Sequence, residues 1–172
     1  MSYFLYKKHA DTESVPGSSA FLDTCDVRVL SPTPFRSKIG IEHTGLKDYL
    51  SRMYFWLITA GKYKIYYLCH GNDIVHTAYT VPKCAKFPFM EKGDVEIGPC
   101  VTASQYRRRG SYSYMLNYIT SLHDCENVDF YMIVRDTNEA SIKGIEKSGF
   151  VRVGRVRKNR VSKRYVLESE NG

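Results

Sequence analysis

Apolar positions along the chain change period several times. From about Thr44 to Thr59, the residues Leu46, Tyr49, Leu50, Met53, Phe55 and Trp56 gather on one side of a helical period, which predicts a helix stopped at Gly61. Lys64 to His70 then predicts a strand through Ile65, Tyr66, Tyr67 and Leu68. Gly71, Asn72 and Asp73 form a turn and Ile74 to Val81 a second strand, so the pair makes a hairpin. Pro82 to Gly93 is a loop. Asp94 to Thr102 alternates and then runs apolar through Ile97, Cys100 and Val101, but Gly98 and Pro99 interrupt it, and that pair inside a strand implies a bulge or a lost ladder bond. After a loop over Ala103 to Arg109, Tyr112, Met115, Leu116, Ile119 and Leu122 recur at spacings of three and four and predict a helix from Gly110 to about His123. Val128 to Val134 is a compact buried strand, and Asn138 to Lys147 a short helix ended by Gly149. Phe150 to Val156 and Val161 to Leu167 are two last strands joined by the basic turn Arg157 to Arg160.

The start of the chain is quieter. Tyr3 to Tyr6 is a short apolar patch before Lys7, Lys8 and His9, and Asp11 to Ala20 carries the Ser, Pro and Gly of a loop. The expected order is therefore a helical N-terminal part, three strands, a helix, a strand, a helix and two strands, an α/β (α+β) arrangement with a mixed sheet. At 172 residues, 43% apolar and 25% charged, one domain over 1–172 is expected, with a core large enough to need no staple. No apolar run approaches the roughly 20 residues of a membrane span, and the first residues lack a secretory apolar stretch, so no membrane association is expected. Five cysteines, odd in number and without a C-x-x-C, fit reduced thiols in the cytoplasm, and the histidines show no metal-site spacing.

A net charge of +7 points to an anionic partner. The segment best suited to one is Gln105-Tyr106-Arg107-Arg108-Arg109-Gly110-Ser111, where a broken strand runs through three arginines into a helix. Helix starts carry unpaired N–H groups and a partial positive charge that suit a pyrophosphate. Gly110 removes the Cβ that would keep backbone from phosphate, and Ser111 can cap the helix or donate a hydrogen bond. Neither a Walker A sequence nor G-x-G-x-x-G is present, so the phosphate site is of another kind.

Arg107-Arg108-Arg109-Gly110-Ser111-Tyr112 resembles the [QR]-x-x-G-x-[GA] signature of the GCN5-related N-acetyltransferase (GNAT) superfamily, with Tyr112 in place of the last small residue. Downstream, Tyr131 to Asn138, Ala140 and Ile145-Glu-Lys-Ser-Gly-Phe150 look like that family's N-x-x-A and Y-E-K-x-G-F. The similarity covers about Lys64 to Glu168. It implies a mixed, mostly antiparallel central sheet flanked by helices, splayed at a bulge where acetyl-CoA binds, and transfer of an acetyl group to a primary amine in a ternary complex. It further implies that the backbone at Cys100 and Val101 pairs with the pantetheine arm, that Arg107, Arg108, Arg109, Gly110, Ser111 and Tyr112 hold the pyrophosphate, and that Asn138 lies beside the pantetheine or serves as a plain helix cap. An amine protonated at neutral pH needs a base; Glu96 is the first choice and Asp94, expected on the same strand face, the reserve.

The family's thiolate-protonating tyrosine corresponds to Ile145 here, which implies another acid, bulk water or no catalysis; Tyr114 is the first candidate acid, and Tyr112 or Ser141 could substitute if geometry permits. Cys100 activated by His70 or His76 would offer a ping-pong route instead. Two rival readings stand beside the transferase. One is an RNA-binding module, suggested by Lys147 to Val153, although the element order argues against nucleic acid. The other is a degenerate acyl-CoA-binding regulator, suggested by Ile145. Arg155, Arg157, Lys158, Arg160, Lys163 and Arg164 favour an anionic small-molecule acceptor, such as a nucleotide-linked amino sugar, if they border its cleft. The resemblance also implies pairing through the last strands as a homodimer.

Overall fold

A computed structural model describes residues 2–10, 19–33, 46–122 and 127–168. Its sheet is built on the strands β1 (Ser2–His9), β2 (Asp26–Leu30), β3 (Lys64–His70), β4 (Asp73–Pro82), β5 (Val95–Thr102), β6 (Asp129–Arg135), β7 (Val151–Lys158) and β8 (Tyr165–Leu167). They lie side by side in the order β2-β3-β4-β5-β6-β1-β7-β8, and β5–β6 is the one parallel pairing among them. The helices are α1 (Leu46–Ile58), α2 (Ser111–Ser121) and α3 (Glu139–Lys147). Helices α2 and α3 cover one face, over Tyr66, Leu68, Val75, Ala78, Ile97, Phe130 and Met132. The other face is closed by the loop between β4 and β5, through Phe87 and Met90 over Leu5, Val81 and Val156, and by Phe55 and Trp56 of α1.

The predicted hairpin, the bulged strand, both later helices and the strand between them are found in place. The N-terminal part is not simply helical, because β1 and β2 precede α1 and β1 is inserted between β6 and β7. Charged residues conceal β1: the Lys7 ammonium pairs with Asp129 at 2.6 Å, Lys8 donates to the Ser148 carbonyl at 3.0 Å, and the Tyr6 hydroxyl donates to Glu146 at 2.8 Å. These side chains hold a central position by running their apolar stems along the core and placing the polar ends on partners. On α1 the inward side runs through the half-buried Phe55 and Trp56, with Thr59 buried just past its end, while Leu50 is exposed; the placements of the Leu46 and Tyr49 side chains, like Thr44, His43, His123 and Cys125, lie outside the described residues. Leu122 is also exposed, leaving Met115, Leu116 and Ile119 as the fully buried stripe of α2, each contributing at most about 1.5–3 kcal/mol by burial. The last turn is longer than the sequence suggests. Val161, 92% exposed, belongs to it rather than to a strand, because the Asn159 side chain accepts from the Val161 and Ser162 amides and curls 159–164. No helix among the described residues is long and apolar enough to cross a membrane.

Candidate functional site

Strands β5 and β6 run together only at Val95–Phe130 and Glu96–Tyr131, then part. The cause is local. Gly98 and Pro99 together oppose the single residue Tyr79 on β4, so the strand bends away from β6 while staying bonded to β4. Beyond the bend, the Ala103 amide donates to the Val75 carbonyl at 3.0 Å. Strand alternation then turns the Val101 peptide toward β4 and the Cys100 and Thr102 peptides toward the open edge. The free backbone expected at Cys100 and Val101 is thus at Cys100 and Thr102.

A cavity of about 670 Å³ fills the opening. Its walls are Cys100, Val101 and Thr102 of β5, the turn residues Tyr106, Arg107, Arg108 and Gly110, the start of α2 at Ser111, Tyr112 and Ser113, and Asn138, Ala140 and Ser141 at the start of α3. Gly110, not Ser111, occupies the N-cap of α2, with φ +80°; Arg108 is also left-handed, at φ +63°. The first α2 hydrogen bond runs from the Tyr114 amide to the Gly110 carbonyl at 3.0 Å, so the Ser111, Tyr112 and Ser113 amides precede the helical ladder and face an anion site by geometry. The Ser111 hydroxyl caps nothing: it is buried, 2% exposed, with no hydrogen-bond partner. An orphaned buried hydroxyl at a helix start, in a cavity that Arg107 and Arg108 also line, fits a phosphate oxygen.

Arg109 stands apart from this wall. Its guanidinium stacks over Phe21 at 4.7 Å and Tyr106 at 5.6 Å, and the Tyr106 hydroxyl donates to Asp73 at 2.7 Å, so this arginine anchors the turn to the rest of the fold. Asn138 does cap α3, accepting from the Ser141 amide at 3.3 Å, and lines the cavity as well. Tyr114 faces elsewhere, stacked on Tyr118. Tyr112 takes the position expected of Tyr114: its ring packs on Gly144, lies edge-on to His76 at 5.7 Å, and stands close enough to Cys100 and Ser141 for both to bear on its hydroxyl, which burial holds protonated well above the ordinary range. Ile145, by contrast, is core.

Glu96 points to the opposite face of the sheet, at the mouth of the split. A Cβ on Gly98 would lie 2.8 Å from its Oε1. Burial pushes its carboxyl up to about 8, with Lys86 pulling the other way. Asp94 is not its equal: one carboxylate oxygen accepts from the Glu91 amide at 2.7 Å and the other from the Asp129 amide at 3.3 Å, so it ties the loop to β6. Burial raises the Cys100 thiol far above its usual range, with the Glu96 charge adding to the shift, which opposes a thiolate nucleophile. His76 is fully buried, its Nδ1 2.7 Å from the Thr102 hydroxyl, and burial lowers it to about 4. His70 stacks against Phe21 instead. Lys86, Thr102 and Tyr165, the last within electrostatic reach of Glu96, were not marked by any sequence motif. Phe150 of the RNA-like segment is buried in the core and cannot stack on a base.

No family model matches the chain, and no curated protein matches its sequence. Solved structures do. An acetyltransferase from the GNAT family of Colwellia psychrerythraea superposes with a TM-score of 0.55 at 16% identity, over 88% of this chain and 53% of that one. A protein of Novosphingobium aromaticivorans assigned to the GNAT family of acetyltransferases gives 0.52 at 15%, over 90% and 62%. A functionally unknown conserved protein of Staphylococcus epidermidis gives 0.56 at 12%, over 90% and 58%. The chain spans between 53% and 62% of the length of these three. With the bulged β5, its departure from β6 and the α2 start facing the gap, this chain has the fold of the GCN5-related N-acetyltransferase superfamily.

Proposed function

We propose that the protein is an N-acetyltransferase that binds acetyl-CoA in the cleft between β5 and the starts of α2 and α3 and delivers its acetyl group to a primary amine entering from the opposite face. The observation that carries this reading is the cleft itself: a cavity of about 670 Å³ at a split sheet, with open Cys100 and Thr102 peptides on one wall and the orphaned Ser111 hydroxyl beside Arg107 and Arg108 on the other. Acetyl-CoA supplies an activated thioester. The chain's residues do the rest. Arg107, Arg108, Gly110 and the α2 amides hold the diphosphate, and the Cys100 or Thr102 peptide N–H faces the thioester carbonyl, a donor of the kind worth a few kcal/mol as its oxygen gains charge. Glu96 accepts the proton of the attacking ammonium; a carboxyl near 8 is matched to that task at neutral pH. As the C–N bond forms and the C–S bond breaks, Tyr112 protonates the departing sulfur in the role that Ile145 cannot fill. The acceptor is an anionic small molecule, a choice supported by the cations of the β7–β8 turn, and a reducing, cytoplasmic setting is supported by the thiols of Cys25, Cys69, Cys84 and Cys100.

Isothermal calorimetry with coenzyme A tests the binding half: a saturable heat is expected, lost in Arg107→Ala/Arg108→Ala, and a flat titration of the intact chain ends the proposal. Thiol release from acetyl-CoA over a panel of amines tests the transfer half. Binding without release for any amine would favour the regulatory acyl-CoA-binding reading.

A further inference from the structure

A second concavity, of about 1000 Å³, opens where β1 begins, β6 ends and the β7–β8 hairpin turns. Arg135, Arg157, Lys158, Arg160 and Lys163 line it, and no carboxylate among the described residues does. Among the described residues, ion pairs are made by Lys7 and His9 with Asp129, so none of these five cations is neutralised by one. Like charges gathered in one hollow repel each other, and a fold that keeps them together without a counter-charge is arranged for an anion. The hollow is also built rather than loose. The Asn159 amide donates to the Arg164 carbonyl at 2.8 Å, the Asn159 side chain caps the Val161 and Ser162 amides, and the Tyr165 amide donates to the Lys86 carbonyl at 2.9 Å, tying the hairpin to the loop that carries Lys86.

Position gives the hollow its meaning. Tyr3 on its rim meets Tyr165 edge-on at 5.6 Å, and Lys158 lies 5.5 Å from the Tyr165 ring. Tyr165 in turn senses both the Glu96 carboxylate and the Arg135 guanidinium. Tyr3, Arg135 and Lys158 of the hollow share a face of the sheet with Glu96, because Tyr3 pairs with Arg135 and Val156, and Val156 packs with Val81, the partner of Glu96. Arg157, next to Val156, points the other way, so the hollow wraps the end of the sheet. We infer that the acceptor is a phosphorylated amine, its phosphate or diphosphate held by Arg135, Lys158, Arg160 and Lys163 while its amino group reaches past Tyr165 to Glu96. This rests on the acetyl-transfer reading above. Two arginines with two lysines favour phosphate over a single carboxylate, because each guanidinium fork engages two oxygens and a phosphate has oxygens enough for both forks and the ammonium groups. A nucleic-acid strand fits less well: such surfaces combine cations with open aromatic faces, whereas Phe150 is buried and the Phe4 ring is covered by Arg152 and Arg155 at 4.6 and 5.3 Å.

The test uses inorganic pyrophosphate as probe and protein saturated with coenzyme A, so that the cofactor cleft is filled. Calorimetry is expected to show pyrophosphate binding that weakens about tenfold or more in Lys158→Ala/Arg160→Ala, two exposed positions, since each substitution removes a charge-assisted contact. No binding, or equal binding by the variant, overturns the inference. A 12-nucleotide RNA that binds the loaded protein more tightly than pyrophosphate and is lost in the same variant overturns it in favour of a nucleic-acid surface. In the thiol-release assay, O-phosphoethanolamine should exceed ethanolamine in kcat/KM; the reverse order, or spermidine above both, also overturns it. If coenzyme A itself gives no heat, the acetyl-transfer reading fails, and the acceptor assignment with it. If coenzyme A binds and pyrophosphate does not, only the acceptor assignment fails.

Discussion

Burial raises Glu96, and Lys86 only partly offsets it, so the carboxyl titrates near 8 in the fold against an ordinary value of 4.5. Between those values the folded chain keeps a proton that the unfolded chain has released, so stability falls as pH rises through that window. Glu96→Gln should remove this slope: the variant's Tm should drop less than the parent's between pH 5 and pH 8.5 in thermal scans, while its kcat falls about 100-fold or more if the carboxylate is the base. Parent activity should rise with pH up to about 8. His76 has the opposite sign. Lowered to about 4 from 6.5, it stabilises the fold above the higher value and withdraws that support as pH falls toward the lower one, so His76→Asn should flatten the acid limb of the same Tm profile. Tyr112→Phe separates chemistry from binding: kcat should fall about tenfold with coenzyme A affinity little changed, and an unaltered kcat would remove this tyrosine as the acid. None of these environments is legible from residue type alone. Glu96 and Asp94 are two residues apart in sequence, yet one is buried beside Gly98 with its carboxyl raised and the other is consumed by the Glu91 and Asp129 amides.

Elements carry the site through two backbone irregularities. The bend at Gly98 separates β5 from β6, and the absent Cβ there leaves room for the Glu96 carboxylate. Gly98→Ala should therefore displace that carboxylate and depress turnover more than coenzyme A affinity, as judged by thiol release beside calorimetry. Gly110, at φ +80°, starts α2; alanine there would cost on the order of 1 kcal/mol in backbone strain, although its Cβ would meet only Leu22 at an ordinary 3.7 Å. Gly110→Ala should lower Tm modestly and weaken coenzyme A binding. Both irregularities are readable in the sequence, because glycine with proline inside an alternating strand and glycine before an amphipathic run have few other uses. What could not be read is the partner of each: that β6 stands on the far side of the split, that β1 fills the place beyond it, and that Tyr112, not Tyr114, turns into the cleft.

At the scale of the whole molecule, cations gather at two separate cavities, the α2 turn at the cleft and the hollow of the β7–β8 hairpin at the end of the sheet. Salt should weaken ligand binding at both, since screening shortens from about 10 Å at 0.1 M to about 3 Å at 1 M. The sequence by itself determined the local periodicities, the hairpin, the bulged strand and the loop-to-helix junction, because each depends on neighbours within a few residues. It left β1 hidden, because Lys7, Lys8 and Tyr6 look like surface residues until Asp129, Ser148 and Glu146, more than a hundred positions away, are brought to them. Only the tertiary structure decided which carboxylate is free, which arginine is an anchor and which tyrosine faces the cleft, because burial and charge environment are set by groups that meet through the sheet rather than along the chain.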